Sequence, residues 1–171
     1  MGVFFVIKLS NMESIPETMM AWKKTKPQFG GFELVESPVP QPKPDEVLVK
    51  THSTSICGTD LHIWKWDEWA AENVPQGTTT GHETCGVVIA LGEQVDTHQI
   101  GDRIAVECHL ACWDCDRCRE GNAHICEHGQ IFGVHSDGAF APYFTIPAVN
   151  ARHIPENLPM DLASVQDPLG N

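Results

Sequence analysis

Four of the chain's seven cysteines fall within fifteen residues, spaced Cys112-x2-Cys115-x2-Cys118-x7-Cys126. Two successive CxxC steps turn thiolates toward one point, and the longer gap, which contains Gly121, lets the chain return and close the set. Zinc takes four such soft ligands tetrahedrally and leaves no position for water, so the expected role is structural. An iron–sulfur cluster and redox disulfides are the alternatives. The ferredoxin spacing C-x2-C-x2-C-x3-C-P is not met, because the last gap is seven and Glu127 follows Cys126. An odd cysteine count, tightly clustered, also argues against a secreted disulfide framework.

The 171 residues are 42% apolar and 20% charged, enough for one domain with a core and unlike a disordered chain. Eleven basic side chains against 23 acidic ones give −12, which disfavours nucleic acid and anionic membranes as partners. No unbroken apolar run exceeds five residues (3–7 is one), and no basic region precedes it. Neither a membrane span nor a secretory signal is expected, and the protein reads as soluble and cytoplasmic. Residues 1–18, with Met12 as one alternative start, read as a poorly ordered extension, and 19–171 as the domain.

Beyond the extension, strand-like runs alternate with turn residues. Runs 20–24 and 32–36 flank Pro27 and Gly30-Gly31 as a hairpin, and 47–55, 86–91, 103–108, 139–146 and 151–154 follow. Asp60 is expected to cap a helix running toward Ala71, and residues 159–161 to open another. The fold class is therefore mainly β, a partly closed barrel with a few short helices and a zinc-binding loop.

Cys57 and the pair His82-Glu83 sit in glycine-marked turns (Cys57-Gly58; Gly81-His82-Glu83). A cysteine, a histidine and a carboxylate make three ligands with a fourth position open, as catalytic zinc requires. From the residues alone, a buried cysteine and a hydrogen-bonded histidine are the plainer account.

The run Ser55-Ile56-Cys57-Gly58-Thr59-Asp60-Leu61-His62, the triplet Gly81-His82-Glu83 and the cysteine loop together resemble the zinc-dependent medium-chain alcohol dehydrogenase family. Segments 63–70, 131–134 and 166–171 resemble, within it, the branch that oxidises L-threonine; the likeness spans about residues 19–171. It implies a GroES-like barrel and two zinc ions per chain. Cys57, His82 and Glu83 fall on the catalytic ion, and Cys112, Cys115, Cys118 and Cys126 on the structural one. Thr59 and His62 fall on a proton relay, and Asp167 on a nearby carboxylate that assists it, where some relatives carry glutamate. The implied reaction oxidises a small secondary alcohol, L-threonine to 2-amino-3-oxobutanoate, with NAD as hydride acceptor in a full-length homotetramer. A related polyol or diol dehydrogenase, and a non-catalytic zinc-binding barrel, are the competing expectations.

The likeness leaves one part unaccounted for. None of the 14 glycines stands two positions from another, so the dinucleotide fingerprint G-x-G-x-x-G is not present. The chain is expected to be the catalytic part of such an enzyme without its Rossmann domain, and inactive alone. Trp64, Trp66 and Trp69 are expected either to wall a substrate pocket or to pack a helix onto the barrel. His109 has a place near the active site by the same resemblance. Cys85 and Cys108 are expected to be small buried side chains rather than ligands.

Overall fold

The structure, a computed structural model, describes residues 14–170. The expectation for the extension falls largely on residues 1–13, which lie outside the described residues. A hairpin comes first, strands β1 (Thr18–Lys24) and β2 (Phe32–Pro38), antiparallel in the register Trp22 opposite Leu34, as the sequence pattern suggests. The tight turn between them is held by Lys24, whose buried ammonium donates to the carbonyls of Gln28 (2.7 Å) and Gly30 (2.6 Å). Strand β3 (Glu46–Thr54) follows, then helices α1 (Gly58–Lys65) and α2 (Glu68–Asn73). Next come β4 (Thr78–Thr79), β5 (Thr84–Leu91), β6 (Arg103–Val106), β7 (His109–Leu110) and α3 (Asp116–Arg119). The chain continues through β8 (Gln130–Ile131), β9 (Tyr143–Pro147), β10 (Ala151–His153), α4 (Met160–Ala163) and α5 (Gln166–Gly170).

The strands form an antiparallel five-stranded sheet in the order β10-β6-β5-β3-β9, a small sheet β2-β1-β4, and the ribbon β7-β8. The large sheet curls around Val47, Val49, Val88, Ile104, Val106, Phe144 and Ile146. Each such side chain contributes about 1.5–3 kcal/mol of transfer free energy when buried. None of the described helices is long and apolar enough to cross a membrane.

Two local expectations are corrected. The single helix from Asp60 toward Ala71 is two helices, and its cap is Cys57 rather than Asp60. The Cys57 Sγ accepts from the Thr59 N–H at 3.3 Å, while Asp60 Oδ2 accepts from the Cys57 N–H at 2.9 Å, a capping box closed by a thiol. The first helix stops because Trp66 is left-handed (φ 56°) and turns its ring into the cluster of Ile63, Ala70, Val74 and Val134. Asp67 then caps α2 through the Ala70 N–H (3.0 Å). The run 139–146 is strand only from Tyr143. The N–H groups of Gly138, Ala139 and Phe140 bond instead to the carbonyls of Thr79, Gly81 and Thr80, which fastens the turn before His82.

Gly81 makes that turn possible. Its φ is +89°, and a Cβ there would lie 2.6 Å from the Phe140 ring. The barrel thus delivers His82 and Glu83 at the start of β5, and Cys57 at the end of β3, from one end of a hydrogen-bonded strand pair in which Thr54 stands opposite Thr84.

Candidate metal centres and active-site cleft

In the cysteine loop the four sulfurs face one another. The Sγ–Sγ separations include 3.4 Å (Cys112–Cys126), 3.5 Å (Cys115–Cys118), 3.8 Å (Cys115–Cys126) and 4.0 Å (Cys112–Cys118). Four thiolates about 2.3 Å from a central ion form a tetrahedron with edges of about 3.8 Å, whereas a disulfide brings sulfurs to about 2.05 Å. The spacing matches one ion and does not match bonded pairs; all seven cysteines are free. Backbone N–H groups already aim at the sulfurs, from Cys115 to Cys112 Sγ and from Cys112 to Cys126 Sγ, both at 3.3 Å. The Cys118 backbone lowers the Cys115 thiol to about 6, and burial pushes Cys118 up to about 12. A divalent ion would convert this uneven set into four thiolates.

At the second centre, Cys57 Sγ lies 3.0 Å from His82 Nε2, and the donor atoms of Cys57, His82 and Glu83 all lie within 4.8 Å of one another. His82 and Glu83 are buried, Cys57 half-buried. Burial pushes the Cys57 thiol up, more than the Thr59 side chain and the Thr59 and Asp60 N–H groups pull it down. One sulfur, one nitrogen and one carboxylate oxygen converging, with no fourth such donor among the described residues, is the composition of an open zinc site. Behind it, His82 Nδ1 and Asp60 Oδ1 are buried without a hydrogen-bond partner, and burial raises the Asp60 carboxyl against the opposing pull of the Cys57 N–H and His82. The donor set and the buried imidazole fit a zinc ion.

A cleft of about 550 Å³ adjoins Thr59, His62, Asp67, Glu68 and Trp69. Thr59 touches the Cys57 sulfur through its N–H, and His62 stands one turn further along α1, so both relay candidates line the cleft from the helix that Cys57 caps. Sequence reasoning missed Asp67 as a functional group. Its Oδ2 bonds His62 Nδ1, and this hydrogen bond, with that of Ala70, holds the Asp67 carboxyl below the ordinary carboxylate range. The signal was present, an aspartate just before the second helical run, five residues after His62.

The tryptophans divide. Trp69 joins the cleft and stands edge-on to His62, while Trp64 stacks on Phe32 and Trp66 lies under the Lys24 ammonium at 4.7 Å. Cys85 and Cys108 are buried as expected. Asp167 is not in the Cys57 group. It accepts from the Cys108 N–H (Oδ1) and the Cys108 thiol (Oδ2), both at 3.3 Å, and Glu107, Cys108, His109 and Asp167 form a separate cluster of donors.

Residues 43–156 match the profile of the alcohol dehydrogenase GroES-like domain. The chain belongs to that family. The mainly β, GroES-like expectation is borne out with it. The L-threonine 3-dehydrogenase of Pyrococcus furiosus is 47% identical to this GroES-like domain over 155 residues, 91% of this chain and 44% of that protein. That of Deinococcus radiodurans is 43% identical over 153 residues, 90% of this chain and 44% of that protein. Among solved structures, a short chain alcohol dehydrogenase from E. coli CFT073 complexed with NADH superposes with a TM-score of 0.77 at 33% identity, covering 88% of this chain and 42% of that one. A putative zinc-binding dehydrogenase from Sinorhizobium meliloti 1021 bound to NADP gives 0.78 at 31% identity, covering 88% and 42%. The chain spans less than half the length of the curated relatives it matches.

Proposed function

We propose that this GroES-like domain is the zinc-bearing catalytic half of a dehydrogenase acting on a small secondary alcohol, L-threonine, with NAD as the hydride acceptor. The observation that carries it is the convergence of Cys57, His82 and Glu83 beside the cleft that Thr59 and His62 line. Zinc held by those three residues supplies a Lewis acid that makes a bound hydroxyl acidic near neutral pH. The chain's own residues do the rest. The Thr59 hydroxyl accepts the substrate proton and passes it to His62, which hands it to solvent at the open mouth of the cleft. Asp67 fixes the His62 ring by its Nδ1, leaving Nε2 for exchange. Glu83 and the Cys57 thiolate offset the charge of the ion.

In this reading Asp167 assists the relay when Cys108 does not hold it, and Cys112, Cys115, Cys118 and Cys126 bind the second, structural zinc. The likeness to threonine dehydrogenases at 43–47% identity favours threonine over polyols. The reading also takes the domain as residues 19–171, working in the cytoplasm and inactive without a nucleotide-binding domain, with a homotetramer as the full-length assembly.

The test combines metal content with turnover. The chain should carry two zinc ions and form no NADH from threonine and NAD. The full-length protein should form NADH with threonine, and Cys57→Ser should abolish that while removing one zinc. Full activity in Cys57→Ser would favour the non-catalytic barrel, and preference for a polyol would reassign the substrate.

A further inference from the structure

Thr59, His62, Asp67, Glu68 and Trp69 line the cleft beside the Cys57 group, and all but one of them are engaged. The Thr59 N–H donates to the Cys57 sulfur, and His62 is held through its Nδ1 by Asp67 Oδ2. Asp67 Oδ1 accepts from the Ala70 N–H, and the Trp69 ring stands edge-on to His62. Glu68 is the exception: its carboxylate has no hydrogen bond and no ion pair among the described residues. We propose that Glu68 receives the ammonium group of the substrate and so makes this a cleft for vicinal amino alcohols. The inference rests on the function proposed above and names the side chain that selects the substrate within it.

The carboxylate is held in place by its backbone rather than by side-chain partners. Glu68 is the first residue of α2, directly after the capping Asp67. The helix is fastened by the buried Ala70, whose carbonyl accepts from the Val74 N–H at 3.0 Å, and by Asn73 Nδ2, which donates to the Trp69 carbonyl at 2.8 Å. One cap therefore fixes both the His62 ring and the start of the helix that carries Glu68.

Charge decides which substrates gain from this arrangement. A vicinal amino alcohol carries its ammonium on the carbon next to the carbinol, so cation and hydroxyl enter the cleft together. An ammonium paired with a free carboxylate makes charge-assisted hydrogen bonds, roughly twice as strong as neutral ones. The indole of Trp69, on the same cleft wall, adds an aromatic neighbour for a cation. A polyol is neutral and offers no cation to Glu68. Asp67 cannot take the role, because both of its oxygens are in use.

Steady-state kinetics of the full-length protein with threonine and NAD tests the assignment. Glu68→Gln keeps the shape and removes the charge. It should raise KM for threonine about 10- to 100-fold and leave kcat within about threefold, because the ammonium is bound alike in ground and transition states. Glu68→Asp, which keeps the charge, should recover most of the loss. As a competitive inhibitor, 3-hydroxybutanoate, which lacks only the amine, should bind wild type and Glu68→Gln equally. An unmoved KM, a loss confined to kcat, or an equal weakening of 3-hydroxybutanoate would overturn the proposal. A wild type that oxidises no amino alcohol would strike the proposed function and this inference together. A wild type that oxidises threonine, with KM unchanged in Glu68→Gln, would strike this inference alone.

Discussion

Asp67 divides its carboxylate between two neighbours: Oδ1 caps α2 through the Ala70 N–H, and Oδ2 bonds His62 Nδ1. The residue that starts one helix therefore fixes a ring on the helix before it. The hydrogen bond from His62 is the leading cause of the lowered Asp67 carboxyl, so His62→Ala should return that carboxyl toward the ordinary range. The sign is that of any depressed carboxylate. Its stabilisation is present above the unfolded value and is lost as pH falls through the lower, folded one. Carbon-13 NMR titration of the Asp67 carboxyl reads the shift directly, and an unmoved carboxyl in His62→Ala would refute the coupling.

How much of this was legible beforehand follows from the kind of contact involved. The hairpin, the sheet and the cysteine loop were legible because each is written in local spacing: period-two alternation, paired glycines, CxxC steps. The Cys57–His82–Glu83 group was legible through the family resemblance and only weakly through residue type, since 25 residues separate Cys57 from His82 and the barrel brings them together. The split at Trp66 was not legible, because it depends on where a tryptophan ring finds its cavity against Lys24 and Ile63. The Asp167–Cys108 contact spans 59 positions and has no local signature at all.

Gly81 carries the His82 turn, and replacing it should be costly for two separable reasons. Gly81→Ala meets both a positive φ and the Phe140 ring at 2.6 Å, and should lose about 2–4 kcal/mol of stability. Gly77→Ala has a similar φ of +90° but open space around the added methyl, and should lose only about 1 kcal/mol. Urea denaturation of the two variants separates strain from collision. Equal losses would mean that Phe140 moves aside freely.

Lys24 is a lysine with no solvent exposure, its ammonium bonded to the carbonyls of Gln28 and Gly30 and set against the rings of Phe32 and Trp66. Lys24→Met removes the charge at little change in volume but strands both carbonyls, so it should destabilise by about 1–3 kcal/mol. Burial lowers the Lys24 ammonium from its ordinary 10.5. In the alkaline window between the lowered folded value and 10.5, the unfolded chain binds the extra proton, so the Lys24 contribution to stability rises with pH there. The difference in unfolding free energy between wild type and Lys24→Met, followed by urea denaturation from neutral to alkaline pH, should widen accordingly. A difference independent of pH would show that the site does not disfavour the charge.

The cysteine loop should depend on its ion more than the barrel does. Between Cys112 and Cys126 only Cys118 is buried, and no residue of the loop belongs to a core cluster, so little apolar burial holds α3 and the turn Ala123–Ile125 in place. Removing the metal should therefore release this loop while the five-stranded sheet, packed on Val47, Val88 and Ile146, persists. Chelation is expected to open trypsin cleavage at Arg117 and Arg119 with little change in far-ultraviolet circular dichroism, and added zinc should restore protection. Cys112→Ser should behave as the chelated wild type does. Loss of the whole β signal on chelation would show instead that the four thiolates hold the barrel itself, through the β7–β8 ribbon that brackets the loop.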